Sequence, residues 1–105
     1  MNAKKIAKSR EETYPSSRTQ ELFKAILKLR SEKEAELFFR DLLTLAEINE
    51  FSNRWQMAKL LFEGKPYAKV ARLTKSSTTT VSRVSHWLHH GMGGYKLILE
   101  RINKK

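Results

Sequence analysis

Residues Pro66 to Leu88 read PYAKVARLTKSSTTTVSRVSHWL. This stretch predicts two helices joined by a very short turn. In the first, Val70, Ala71 and Leu73 are apolar, with Lys69 and Arg72 among them. In the second, Val81, Val84, Ser85 and Leu88 recur at i, i+3, i+4 and i+7, one face of a helix. Thr78, Thr79, Ser82, Arg83 and His86 occupy the opposite face. The small Ala71 lets two helices cross closely, and Ser77 is placed to cap the second. Thr78-Thr79-Thr80 is poor interior helix material, because β-branched hydroxyl residues compete with the backbone for hydrogen bonds. At a helix start such residues suit capping or a surface role. Short hydroxyls plus one arginine on an outer face fit a DNA major groove: hydroxyls bond base edges and phosphates, and threonine methyls touch thymine methyls. The pattern is that of a helix-turn-helix unit. The plainer alternative is an αα-hairpin whose Thr/Ser run is merely solvated.

The whole-chain charge favours the first reading. In 105 residues there are 21 Lys and Arg against 11 Asp and Glu, a formal net charge of +10. That excess calls for a polyanionic partner: DNA, RNA or an anionic membrane surface. The length bounds the chain to one small domain, and 40% hydrophobic with 30% charged residues is a globular composition. No apolar run approaches the roughly 18 residues of a membrane span. The N-terminal lysines precede no apolar segment of the secretory kind. With no cysteine there are neither disulfides nor thiolate metal sites, which is compatible with the cytoplasm.

Outward from the motif, residues 1–16 read as a flexible basic N-terminal arm, and 17–105 as a single helical domain with the helix-turn-helix at about 66–89. Three helices precede the motif. Ser17 with Gln20, Ser31 with Glu34, and Thr44 with Glu47 each fit the capping box. The first helix, about 18–30, aligns Leu22, Phe23, Ile26, Leu27 and Leu29. The second, about 32–43, carries Ala35, Leu37, Phe38, Phe39, Leu42 and Leu43. The third, about 45–63, aligns Ile48, Phe51, Trp55, Ala58 and Phe62, with Leu61 beside them and Gly64 as its stop. After the motif, Gly91 ends the recognition helix, and a last helix, about 92–104, is expected to bury Tyr95, Ile98, Leu99 and Ile102. The expectation is an all-α fold of six helices. The apolar arc of the second helix is too wide for a surface helix of a small monomer, unless it is central to a bundle. A second copy would cover it, and a two-fold dimer would present two recognition helices about 34 Å apart.

The segment from Leu42 to Tyr95 resembles the Trp repressor superfamily, and within it the YerC/YecD group. The matching pieces are Leu43-Thr44 with Glu47, Asn53-Arg54, the Leu-Leu-x-x-Gly run ending at Gly64, and Thr80-Val81-Ser82-Arg83. Gly91 and Tyr95 are similar to the YerC/YecD branch in particular. The resemblance implies an intertwined homodimer that binds operator DNA and represses transcription. It places Thr78, Thr79 and Ser82 toward bases, largely through water. Lys69, Arg72 and Lys75 would hold phosphates, by position and charge.

In tryptophan-sensing members two arginines grip the amino acid, and Arg54 and Arg83 stand at those positions. Leu43, Thr44 and Val84 complete the candidate ligand pocket. Yet Val84 replaces a glycine beside the ring, and Trp87 a serine near the ligand's amino group. Both fill volume that the ligand needs, which argues against tryptophan as corepressor. Another small-molecule effector stays open. No cofactor is implied.

His86, His89 and His90 have a spacing that can bind zinc, but a solvated or phosphate-facing cluster is the simpler reading. Trp55 and Trp87 read as core aromatics. No nucleophile–base pair, phosphate-cradling loop or carboxylate pair suggests an enzyme. Sequence-specific repression therefore competes with a charge-driven nucleic-acid-associated structural or adaptor role. An RNA-binding regulator is the weaker third reading, since aromatic pairs for single-stranded RNA are missing.

Overall fold

The structure is a computed structural model and describes residues 13–104. Most of the expected arm, residues 1–12, lies outside the described residues. Six helices follow one another: α1 (Ser17–Ile26), α2 (Glu32–Leu42), α3 (Leu45–Phe62), α4 (Tyr67–Thr74), α5 (Thr78–His90) and α6 (Gly94–Asn103). The fold is all-α, with no strand among the described residues. Two compact units divide the chain between Leu42 and Leu43. No described helix is long and apolar enough to cross a membrane.

In the first unit, α1 starts one residue earlier than its expected cap. Ser16, not Ser17, is the N-cap, and its Oγ accepts from the Thr19 N–H at 3.2 Å. The reciprocal bond comes from the Ser16 N–H to Thr19 Oγ1 at 2.8 Å, so a threonine does what Gln20 was expected to do. The helix also ends early, at Ile26. The Leu27, Lys28 and Leu29 N–H groups close tight turns onto Phe23, Ala25 and Ile26 carbonyls, and Leu27 is left 83% exposed. At the start of α2 the Ser31 hydroxyl accepts from the Glu34 N–H at 3.1 Å. The Glu34 carboxylate reaches past Ser31 to the Arg30 N–H at 2.9 Å. Glu32 and Glu34 in that first turn also complement the positive end of the helix dipole. No residue of α1 or α2 is buried.

In the second unit, α3 opens with a complete capping box. Thr44 Oγ1 accepts from the Glu47 N–H at 3.1 Å, and the Glu47 carboxylate accepts from the Thr44 N–H at 2.9 Å. The Thr44 backbone N–H, and after it the Thr44 hydroxyl, favour the ionised carboxylate and hold Glu47 below the usual carboxylate range. The helix stops at Gly64, in the left-handed conformation at φ 87°. The Lys65 N–H reaches the Leu60 carbonyl and the Gly64 N–H the Leu61 carbonyl, closing the last turn.

The core of this unit comprises Met57, Ala58, Val70, Ala71, Val81, Val84, Leu88 and Leu99. Four helices, α3 to α6, each contribute. Ala58, Val70 and Val81 are fully buried, so three helices meet where two of the residues are β-branched and one is small. Trp55, Leu60, Leu61 and Tyr95 pack around that centre. The expected stripe on α3 is shifted: Met57 is buried, whereas Phe51 and Phe62 are exposed. On α4 the inward set is Val70, Ala71 and Thr74, with Leu73 outside. Thr74 can sit inward because its hydroxyl donates to the Val70 carbonyl at 2.7 Å. On α6 Leu99 is buried and Tyr95 half-buried, while Ile98 and Ile102 are exposed.

Candidate nucleic-acid interface

Helix α5 starts at the residue that the spacing predicted. Ser77 is its N-cap, with Oγ accepting from the Thr80 N–H at 3.1 Å and lying 3.0 Å from Thr80 Oγ1. Thr80 is thereby used locally. Thr78, Thr79 and Ser82 stand exposed on the first turns of the helix. Its opposite face is Val81, Val84, Ser85 and Leu88, all buried. Packing therefore fixes which hydroxyls face outward.

The turn between α4 and α5 is held from three sides. First, α4 closes as α3 does. The Ser76 N–H reaches the Ala71 carbonyl at 2.9 Å and the Lys75 N–H the Arg72 carbonyl at 3.3 Å. Here the left-handed position is taken by Lys75, at φ 53° and ψ 46°, not by glycine. A left-handed L-residue costs about 1–2 kcal/mol, so the lysine there carries a local conformational penalty. Second, Asn53 on α3 spans to the turn: its Nδ2 donates to the Thr74 carbonyl at 3.0 Å and to Ser76 Oγ at 2.9 Å. Third, the Tyr67 hydroxyl donates to the buried Ser85 hydroxyl at 2.5 Å, tying the start of α4 to the middle of α5.

Lys69, Arg72 and Lys75 are exposed along α4 and at its end. Lys69 and Arg72 are three residues apart and hence neighbours on one helix surface. The cations and the hydroxyls therefore flank one short, braced turn. Beside it runs an open groove of about 520 Å³ lined by Asn49, Glu50, Ser52, Asn53, Gln56 and Thr74, with Ala46.

Three of the five candidate pocket residues have other engagements. Leu43 is half-buried immediately before α3. The Thr44 hydroxyl serves as the cap of α3. Arg54 is bonded to Glu50 at 2.6 Å and lies over the Phe51 ring, 5.6 Å from its centroid. Arg83 is exposed, and Val84 is a core residue. The groove beside the turn includes none of the five. Trp87 departs from expectation. It is 58% exposed, because it lies off the buried stripe of α5. Trp55 is half-buried and packs on Tyr95 with ring centroids 6.3 Å apart.

Sequence reasoning missed the Asn53 bridge, the Tyr67–Ser85 bond and the left-handed lysine. Only the last had a visible signal. No glycine lies between Gly64 and Gly91, so some other residue had to reverse the chain after α4.

A sequence model described as Trp repressor protein matches residues 17–103. The uncharacterized protein YerC of Bacillus subtilis is 38% identical over 84 residues, spanning 80% of this chain and 81% of that protein. A crystal structure of a TrpR-like protein from Eubacterium eligens superposes with a TM-score of 0.81 at 39% identity, covering 87% of this chain and 96% of that one. A candidate Trp repressor from Staphylococcus aureus gives a TM-score of 0.80 at 36% identity, covering 100% and 97%. The braced helix-turn-helix, its basic flank and these likenesses agree. The chain belongs to the Trp repressor family, a family of helix-turn-helix DNA-binding regulators.

Proposed function

We propose that this chain is a sequence-specific transcriptional repressor in the cytoplasm, acting on double-stranded DNA as a homodimer without tryptophan as corepressor. The observation that carries the reading is the exposure of Thr78, Thr79 and Ser82 on the leading turns of α5, whose other face is locked in the core. Recognition helices present their N-terminal residues to base edges. Lys69 and Arg72 on α4 and Lys75 at its end hold phosphates and set register.

The dimer is supported by apolar surface that a single chain leaves open. Leu27, Leu37 and Leu42 are 83%, 58% and 46% exposed, and Ile102 on α6 is 60% exposed. Burying one such side chain is worth about 1.5–3 kcal/mol, so several together strongly favour a second copy. Independence from tryptophan is supported by Val84 lying inside the core and Arg54 being engaged by Glu50.

The net charge of +10 also suits a charge-driven adaptor that binds nucleic acid without reading it. A selection from a random duplex library at physiological salt, without ligand and then with free tryptophan, separates the readings. A palindrome enriched without ligand is the expected result. Enrichment only with tryptophan would overturn the corepressor assignment, and no enrichment in either would favour the adaptor.

A further inference from the structure

We propose that His86 and His90 form a two-imidazole site for a nitrogen-preferring divalent transition cation such as Zn²⁺, Ni²⁺ or Cu²⁺. The pair is four residues apart on α5, one helical turn, and the ring centroids are 5.3 Å apart with planes tilted by 42°. Side chains at i and i+4 rise from the same helix face, which is how helical histidine pairs share one metal. Both residues are exposed, so the rings approach a cation without desolvation of a buried group.

Two further features favour a cation here. The pair lies at the C-terminal end of α5, which Gly91 terminates, where the helix dipole is negative. The donors are all imidazole nitrogens. Among the described residues no group of three or more His, Cys, Asp or Glu side chains converges to hold a metal. The site therefore supplies two ligands and leaves the other positions to water. That donor set suits borderline metals and not Mg²⁺ or Ca²⁺, which want oxygen ligands. His89 stands apart, its ring 6.5 Å from that of His90 and oriented nearly edge-on. The cation clips the last turn of the recognition helix. By helical rise His86 sits roughly 12 Å from Thr78 but only about 6 Å from Ser82, so the cation lies beside the last base-facing residue and clear of the first turn.

Trp87 is a built-in reporter, because its ring meets His86 edge-on with centroids 5.3 Å apart. The test uses the full untagged chain carrying Trp55→Phe, which leaves Trp87 as its single tryptophan. Titration with Cu²⁺ should quench its emission saturably at one equivalent per chain. His86→Ala and His90→Ala should each abolish the saturable phase, and His89→Ala should keep it. Zn²⁺ should raise the melting temperature of the parent and of neither pair variant. Linear quenching without saturation, or saturation that survives either pair substitution, overturns the site. Circular dichroism of each variant should match the parent, so that a lost quenching phase reports the ligand and not unfolding.

Discussion

Asn53 Nδ2 donates to the carbonyl oxygen of Thr74 at 3.0 Å, across 21 residues of sequence. The same nitrogen meets Ser76 Oγ, so one amide spans the end of α4 and the start of the turn. The position of α5 is thus set partly from α3. Asn53→Ala removes both bonds at a half-buried site, and the expected loss is about 1–2 kcal/mol of folding stability. DNA affinity should fall by more than the unfolded fraction explains, because the turn loosens before the chain unfolds. Urea titration and DNA-binding isotherms on the same samples check this; unchanged affinity in the folded fraction would separate the bridge from function.

Lys75 offers a substitution with opposite effects on two readouts. Its backbone is left-handed at φ 53°. Lys75→Gly relieves that conformation and should stabilise the fold by up to about 1 kcal/mol after the greater unfolded-state entropy of glycine is counted. It also removes a proposed phosphate cation. Affinity for any duplex should fall, and the slope of log affinity against log salt should drop by about one. A variant that is more stable and binds DNA unchanged would show that the lysine is not at the interface.

The Tyr67–Ser85 bond predicts a non-additive pair. Ser85 is buried, and Tyr67 is the side chain that donates to it. Tyr67→Phe leaves the Ser85 hydroxyl without that donor and should cost about 1–2 kcal/mol. Adding Ser85→Ala should recover much of that loss, since removing both partners is milder than removing one. Simple additivity in a double-mutant cycle would contradict the assigned bond.

Much of this arrangement was legible in the sequence, for reasons that differ by element. The buried face of α5 followed from period, because Val81, Val84, Ser85 and Leu88 pack as their spacing requires. Thr44 with Glu47 was a local pattern and forms as written. At α1 two adjacent serines competed, and the structure uses Ser16 where the pattern pointed to Ser17. Met57 on α3 and Thr74 on α4 were missed because large aromatics and leucines dominate any apolar count. The burial of those two depends on neighbouring helices instead. Asn53–Thr74 and Tyr67–Ser85 join residues 21 and 18 positions apart, and no local pattern encodes such a pairing. Trp87 was expected inside, yet one position off the buried stripe left it exposed.

Glu47 gives the pH dependence a sign. Its folded-state pKa is lowered, chiefly by the Thr44 backbone N–H and then by the Thr44 hydroxyl. A depressed carboxylate contributes stability that is present above its unfolded pKa and lost as pH falls through the folded value. The parent should therefore lose this contribution under acid, whereas Glu47→Gln should lack that part of the dependence. Thermal melts of both proteins from neutral to acidic pH test it, and parallel curves would remove Glu47 from the account.

In the proposed reading the leading turns of α5 read sequence while α4 supplies charge. The most direct measurement compares Thr79→Ala and Ser82→Ala with Lys69→Ala and Arg72→Ala on a selected duplex and on a scrambled one, across salt. The hydroxyl variants should weaken the selected duplex by several-fold or more and leave the scrambled duplex nearly unchanged. The cation variants should weaken both alike and lower the salt slope by about one each. Equal losses on both duplexes from all four substitutions would contradict sequence reading by this helix.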